Sequence, residues 1–251
     1  MKKINNIIDD IIREKPKFHR GETEISRAFV KKESFLPQNT VKDLIDNNLS
    51  CYGIGEAVAH FINNSIDQNS TTLEIGAGIS TLIFAIRNTK HIAITPNIEE
   101  VKLIRKYSEK KIDLSRVQFI IEPSESYLPK LDRNNFDIVF IDGKHAFPWP
   151  IIDWFYTADK LKKDGLMIVD DAELNSVKIL IDFMDLDSGW VLQKKFSQKT
   201  YVFRKRRETI HNVAWHMQPY TVGDLLSQKP KKKIIYIIIK MIKKIIATYR
   251  K

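Results

Sequence analysis

At 251 residues, with 43% hydrophobic and 29% charged residues, the chain has the length and composition of one large globular domain with appendages. Its one cysteine, Cys51, excludes an internal disulfide and fits a reducing cytoplasm. Nine of its 41 basic residues lie between Lys229 and Lys251 with no acid among them. The remaining 32 basic and 31 acidic residues nearly cancel, which argues against a broad nucleic-acid-binding face despite the net charge of +10.

Residues 1–14 read as an amphipathic helix, with Ile4, Ile7, Ile8, Ile11 and Ile12 on one side. Asp9 and Asp10 inside that stretch, and the lack of a small-residue cleavage site, do not fit a signal peptide. A polar stretch with Pro16, Gly21 and Pro37 follows, then predicted helices at 40–48 and 54–66. The segment "SCYGIGEAV", with Tyr52, Gly53 and Gly55, reads as part of a lid.

From residue 71 the pattern alternates. Short apolar runs at 71–75, 91–95, 117–121, 136–141 and 165–170 are separated by helix-compatible segments at 79–88, 97–111, 124–129 and 147–162. This alternation predicts βαβ units and a mostly parallel, doubly wound α/β sheet with both faces covered. A helix near 173–184 precedes "GWVLQKKF" and "KTYVFRK", which only Ser197 and Gln198 separate, so an antiparallel hairpin is expected at the end of the sheet. The organisation is then an N-terminal helical segment at 1–50, the α/β domain at 51–204, a polar connector at 205–230 and a basic tail at 231–251.

The stretch "LEIGAGISTLIFA" ends a buried strand on Glu74 and turns through Gly76, Ala77 and Gly78 into a helix opened by Ser80 and Thr81. Glycine lets the chain turn tightly and lets a ligand approach the backbone. Ligands of open α/β sheets bind outside the carboxyl ends of the strands. A dinucleotide fingerprint would place a third glycine at Thr81 and an acid at Thr95, so an oxidoreductase using NAD is disfavoured. A carboxylate at Glu74 is costly to bury without a cationic or hydrogen-bonding partner.

"EIGAGIST" resembles the first motif, acid-x-Gly-x-Gly, of the class I S-adenosylmethionine-dependent methyltransferases. The resemblance implies a Rossmann-like fold, with Glu74 helping to hold the methionine part of the cofactor. Gly76, Ala77 and Gly78, with Ser80 and Thr81, would lie along its body. The family places an acid for the ribose at the end of the second strand; here Thr95 stands there. Thr95 and Asn97 as neutral partners, or Glu99 or Glu100 reaching back, are the alternatives. Ser124 and Glu125 in "IIEPSESYLP" stand where the family binds adenine, and Ser124 reads equally as a helix cap.

Residues 136–174 carry a second pattern, "IDG-x-H … D … K-x-GL-x-VDD", which resembles a branch of small-molecule and sugar O-methyltransferases. Methylation of oxygen needs a proton removed from the acceptor hydroxyl. His145, beside Asp142, suits a general base. Asp142, Asp170 and Asp171 suit a divalent cation such as Mg²⁺, since hard cations take carboxylate oxygens. Both devices stay open, and Asp153 reads as structural. Phe147 and Trp149 are candidates to shape an acceptor pocket, while Trp154 or Phe155 packs on the sheet.

On a helical wheel, Lys233, Lys240, Lys244 and Lys251 of the tail oppose Ile234, Ile238, Met241, Ile242, Ile245 and Ile246. Its uninterrupted apolar run is too short to span a bilayer. The tail therefore reads as a basic amphipathic helix lying on an anionic membrane surface, with docking on the protein as its rival. The expected product is a cytoplasmic methyltransferase, at the inner face of the membrane if the tail binds there. Its acceptor would be a small molecule, a glycan or a lipid-linked group. A catalytically silent interaction protein of the same fold is the alternative.

Overall fold

The computed structural model describes residues 2–20, 49–50, 53–132 and 134–222. The expected helix at 40–48, Tyr52 of the expected lid, and the tail at 231–251 lie outside the described residues.

A seven-stranded sheet organises the chain. Its strands are β3 (Thr71–Ile75), β4 (Lys90–Ile94), β5 (Val117–Ile120), β6 (Phe136–Ile141), β7 (Leu161–Val169), β8 (Trp190–Phe196) and β9 (Thr200–Lys205). Their order is β5-β4-β3-β6-β7-β9-β8, so β3 lies inside the sheet and the chain crosses over between β5 and β6. Pairing is parallel from β5 to β7, and β9 pairs antiparallel with both β7 and β8. The hairpin at the end of the sheet is therefore present, with Ser197 at φ 53° in its turn. A separate two-stranded ribbon joins β1 (His19–Arg20) to β2 (Leu49–Ser50).

Alternation along the strands divides the core into two layers. Leu73, Ile75, Ile92, Ile94, Val139, Ile141, Met167 and Val169 face one side with Trp154, Ala158, Leu180 and Met184, on α6 (Trp149–Ala158) and α7 (Asn175–Leu186). Ala93, Ile138, Phe140 and Ile168 face the other. There they meet α1 (Lys2–Glu14), α2 (Glu56–Ser65) and α3 (Ile79–Ile86) through Ile8, Ile11, Val58, Ile62, Leu82 and Ile83. Ile8 and Ile62 are fully buried, each contributing about 1.5–3 kcal/mol relative to exposure, so the N-terminal helix is part of the domain's core. The remaining helices are α4 (Ile98–Ser108) and a short α5 (Ser124–Tyr127) that continues as a 3₁₀ turn over Leu128–Lys130.

Two boundaries differ from the sequence pattern. β7 begins at Leu161, because an irregularity between Phe136 and Ile138 takes up extra residues of β7 in the pairing; Asp164 has φ 63° there, and the segment is polar and exposed. α6 starts only at Trp149, bracketed by Pro148 and Pro150, and ends before the polar Asp159-Lys160 step. The first part of the connector is tied to α6: the Ile210 amide donates to Asp159, and Ile210 is buried.

Candidate functional site

The cost of burying Glu74 is met from within the protein. Its side chain is 1% exposed, and both carboxylate oxygens accept from neighbours. The Ser80 hydroxyl donates to Oε1, and the Thr81 hydroxyl donates to Oε2 at 2.6 Å. His91 Nε2 lies 3.2 Å from Oε2, while His91 Nδ1 lies 2.8 Å from Thr72 Oγ1 and the ring stacks on Phe84. A buried charge is tolerated only when hydrogen-bonded in this way. Ser80 and Thr81 thus turn inward, and what the turn offers outward is backbone.

Gly76 adopts φ +103°, a conformation that favours glycine. A Cβ there would lie 2.3 Å from the Asp142 carbonyl oxygen. The Asp142 amide donates to the Ile75 carbonyl at 2.9 Å, and the Gly76 amide donates to the Ile94 carbonyl at 2.9 Å. The turn therefore locks the ends of β3, β4 and β6 together. Gly78 is different: among the described residues a Cβ there would meet the His19 ring alone, at 3.4 Å, an ordinary contact with a side chain and not with backbone. Its amide donates to Thr81 Oγ1 at 3.0 Å.

At the end of β4, Glu100 reaches back from α4. Thr95 Oγ1 donates to Glu100 Oε2 at 2.9 Å, and Asn97 Nδ2 donates to Oε1 at 3.0 Å. His19 Nδ1 lies 3.0 Å from the same Oε1. A carboxylate is thereby presented beside Thr95, five residues later in the sequence than the family pattern has it. Ser124 opens α5 at the end of β5 and is buried, whereas Glu125 is exposed. Asp153 of α6 is fully buried near Ser124, and neither of its oxygens has a hydrogen-bond partner among the described residues. Burial raises its pKa to about 7.

The ends of β6 and β7 bring the second motif together. His145 Nε2 lies 2.9 Å from Asp171 Oδ2, and ligand atoms of Asp142, His145 and Asp171 lie within 4.8 Å of one another. Asp171 sits at φ 54°, a left-handed conformation that Asp tolerates better than most residues. Lys199, from the β8–β9 turn, places Nζ 3.1 Å from Asp171 Oδ1 and 3.6 Å from Asp170 Oδ2. The Thr200 hydroxyl donates to Asp170 Oδ1.

These contacts set the local charges. Burial opposes ionisation of Asp171, but His145 and Lys199 outweigh it and hold its pKa at about 2. Burial, with Asp170, Asp171 and Glu74 nearby, pushes Asp142 well above the carboxylate range, against the pull of Lys199. Asp170 is also raised by burial, with Lys199 and Thr200 opposing. Burial disfavours the charged form of Lys199, but Asp170 and Asp171 raise it above the ordinary lysine range.

The expected acceptor-side aromatics separate. Phe147 is 63% exposed, and Trp149 lies under Lys144, whose Nζ is 3.4 Å from the ring centroid. Trp154 packs in the core; Phe155 is half-exposed and does not. The sequence pattern did not single out His19, His91 or Lys199. His91 had a usable signal, an imidazole on an otherwise apolar strand in register with Thr72. Lys199 had none, because it reaches the acids only through hairpin geometry.

Residues 73–172 match a family model described as a methyltransferase domain. No curated protein matches the sequence. The solved structure of a Corynebacterium glutamicum protein is similar at TM-score 0.54 and 16% identity, over 76% of this chain and 100% of that one. Cofactor-bound Rv0187 from MTB is similar at TM-score 0.53 and 16% identity, over 61% of this chain and 82% of that one. The O-methyltransferase TomG from Streptomyces achromogenes, involved in tomaymycin synthesis and solved with S-adenosylmethionine, gives TM-score 0.51 and 16% identity, over 62% and 83%. At these identities the likeness carries the fold.

Proposed function

We propose that the class I S-adenosylmethionine-dependent methyltransferase domain carried by this chain methylates an oxygen of a small-molecule, glycan or lipid-linked acceptor. The observation that supports this most is the contact between the two motifs. The glycine turn at Gly76 abuts the Asp142 backbone, so a ligand lying on the turn would come beside the strand end that carries Asp142, with His145 and Asp171 close to it.

The residues present fit S-adenosylmethionine. The Gly76–Gly78 backbone would carry its body, with the His19 ring beside Gly78. Glu100, held by Thr95 and Asn97, would accept from the ribose hydroxyls, and Ser124 at the end of β5 would meet the adenine. Glu74 would act by holding Ser80 and Thr81, and so the turn, in place. When bound, the cofactor supplies a methyl group on a sulfonium, an electrophile that needs only a nucleophilic oxygen.

His145 would make that oxygen. With Asp171 accepting from Nε2–H, Nδ1 is the basic nitrogen and can take the proton of an acceptor hydroxyl. Asp171 fixes the ring and stabilises the imidazolium that results. The Asp170–Asp171 pair does not fit a divalent cation as it stands. Both Asp171 oxygens and Asp170 Oδ1 already have partners, and the Lys199 ammonium occupies the space between the two carboxylates. No step is therefore assigned to a metal.

Calorimetry with S-adenosylmethionine, S-adenosylhomocysteine and NAD tests the cofactor. Binding of the first two and not the third is expected, with Glu100→Ala weakening both by about 10-fold or more, the scale of a hydrogen bond to a charged group. Binding of NAD alone, or of none of the three, would overturn the reading in favour of an oxidoreductase or a silent interaction protein. We further propose that the basic residues of 231–251 bring the domain to anionic membrane surfaces, where a lipid-linked or glycan acceptor would be met. Among the described residues, no helix is long and apolar enough to cross a membrane.

A further inference from the structure

We infer that Lys199 is the resident cation of the acceptor site, standing where a divalent metal would otherwise bridge Asp142, Asp170 and Asp171. The inference rests on the methyltransferase reading above and deepens it, since it says what faces the acceptor oxygen.

The first support is the fixation of the lysine. Lys199 is not a surface side chain that happens to fall near two acids. The Ala172 amide, next after Asp171, donates to the Lys199 carbonyl at 2.8 Å, and the Lys199 amide donates to the Phe196 carbonyl at 3.2 Å. The backbone of the β8–β9 turn is thus stapled to the chain that carries the acid pair. The neighbouring residue, Thr200, takes Asp170 Oδ1. Consecutive residues of one hairpin therefore serve the two consecutive carboxylates.

The second support is charge and space. Asp142 and Asp171 converge with His145, and one ammonium sits between Asp171 and its neighbour Asp170, 3.1 Å and 3.6 Å from their oxygens. A divalent cation would need carboxylate oxygens at about 2.0–2.6 Å, with a unit positive charge excluded from the same volume. The side chain keeps 42% exposure, so its N–H groups remain open to the crevice. An ammonium offers three donors on a point charge and no coordination geometry. It suits an acceptor presenting a single hydroxyl or oxyanion to the methyl donor.

The test is metal binding by the full chain, with Mn²⁺ titrated alone and followed by the spectroscopic signal of the free ion. A second, exposed group, Asp9, Glu56 and His60, is removed by His60→Ala in every sample. The parent chain is expected to show no stoichiometric site up to about 1 mM, the weak end of carboxylate sites. Lys199→Met should gain one site, tighter by about 100-fold or more, because a unit charge close to the ion has gone. Lys199→Arg should gain none, and Asp171→Asn added to Lys199→Met should lose the site again. Should Lys199→Met fail to fold, Lys199→Gln, also uncharged, replaces it. A parent chain that binds one Mn²⁺ through Asp171, or a folded Lys199→Met that gains no site, would overturn the inference. Calorimetry with S-adenosylmethionine on the same samples keeps the two failures apart, since loss of cofactor binding in the parent sinks the methyltransferase reading itself.

Discussion

His91 Nε2 lies 3.2 Å from Glu74 Oε2, with both side chains sealed from solvent beneath the glycine turn. The pair joins β4 to β3 and, through Thr81, to the start of α3. Glu74→Ala would strand the Ser80 and Thr81 hydroxyls and the imidazole without their common acceptor. We expect a loss of about 2–4 kcal/mol, read as a lower urea midpoint, with Glu74→Gln losing less because one oxygen acceptor survives. An unchanged midpoint in Glu74→Ala would assign the carboxylate to the ligand and not to the turn.

The two glycines of the turn should separate folding from binding. Gly76→Ala forces a Cβ to within 2.3 Å of the Asp142 carbonyl oxygen at a positive φ, so it should destabilise the domain or prevent its recovery. Gly78→Val places its side chain against the His19 ring, on the turn proposed to carry the cofactor and on extended backbone that any residue adopts. It should cost about 1 kcal/mol as a poorer helix cap yet weaken S-adenosylmethionine binding by about 10-fold or more. Equal affinity in Gly78→Val would move the cofactor off this turn.

Asp153 predicts a pH dependence of stability. Its pKa is about 7 when folded against 3.8 for the ordinary group. Below pH 3.8 both states hold the proton and nothing is lost. Between 3.8 and about 7 the unfolded chain has released the proton and the folded one has not, so this group makes stability fall as pH rises. Asp153→Asn cannot ionise. It should melt near the wild type at acid pH and about 5 °C or more above it past neutrality, measured by thermal denaturation across the range. Parallel curves at all pH values would show that Asp153 is ionised in the folded protein.

The tail prediction concerns location. The full chain should float with anionic vesicles, each basic residue at the surface adding about 1 kcal/mol, and binding should fall in neutral lipid or high salt. A chain ending at Gln228 should stay unbound and keep its affinity for S-adenosylmethionine. If flotation is negative and the shortened chain melts early or changes mass, the tail docks on protein.

The sheet was legible because parallel strands buried on both faces are short Ile, Val and Phe runs, as at "HIAIT" and "FDIVFI". The hairpin followed from the two-residue gap at Ser197-Gln198. The glycine turn and the acids at 142, 170 and 171 were legible because a motif is local in sequence. What joins them was not. Glu74 has partners six, seven and seventeen residues away, and His19 meets Glu100 across 81 residues. Such pairings follow from topology and leave no periodicity behind. The early start of β7 was hidden for a different reason: exposed polar residues carry the same hydropathy in an irregular strand as in a loop.

The order β7-β9-β8 places the last strand made between two earlier ones. During synthesis, β7 has no neighbour on its outer side until residue 205 has emerged, and a strand edge left open is a hazard for any nascent sheet. Lys199 and Thr200 arrive with that closing strand. Asp170 and Asp171 therefore wait, already in the chain and without Lys199 and Thr200, while the final hairpin is still being added. The same event that seals the sheet supplies the charge beside Asp170 and Asp171, so the reactive corner cannot be complete in a polypeptide that ends before the closing strand, Thr200–Lys205.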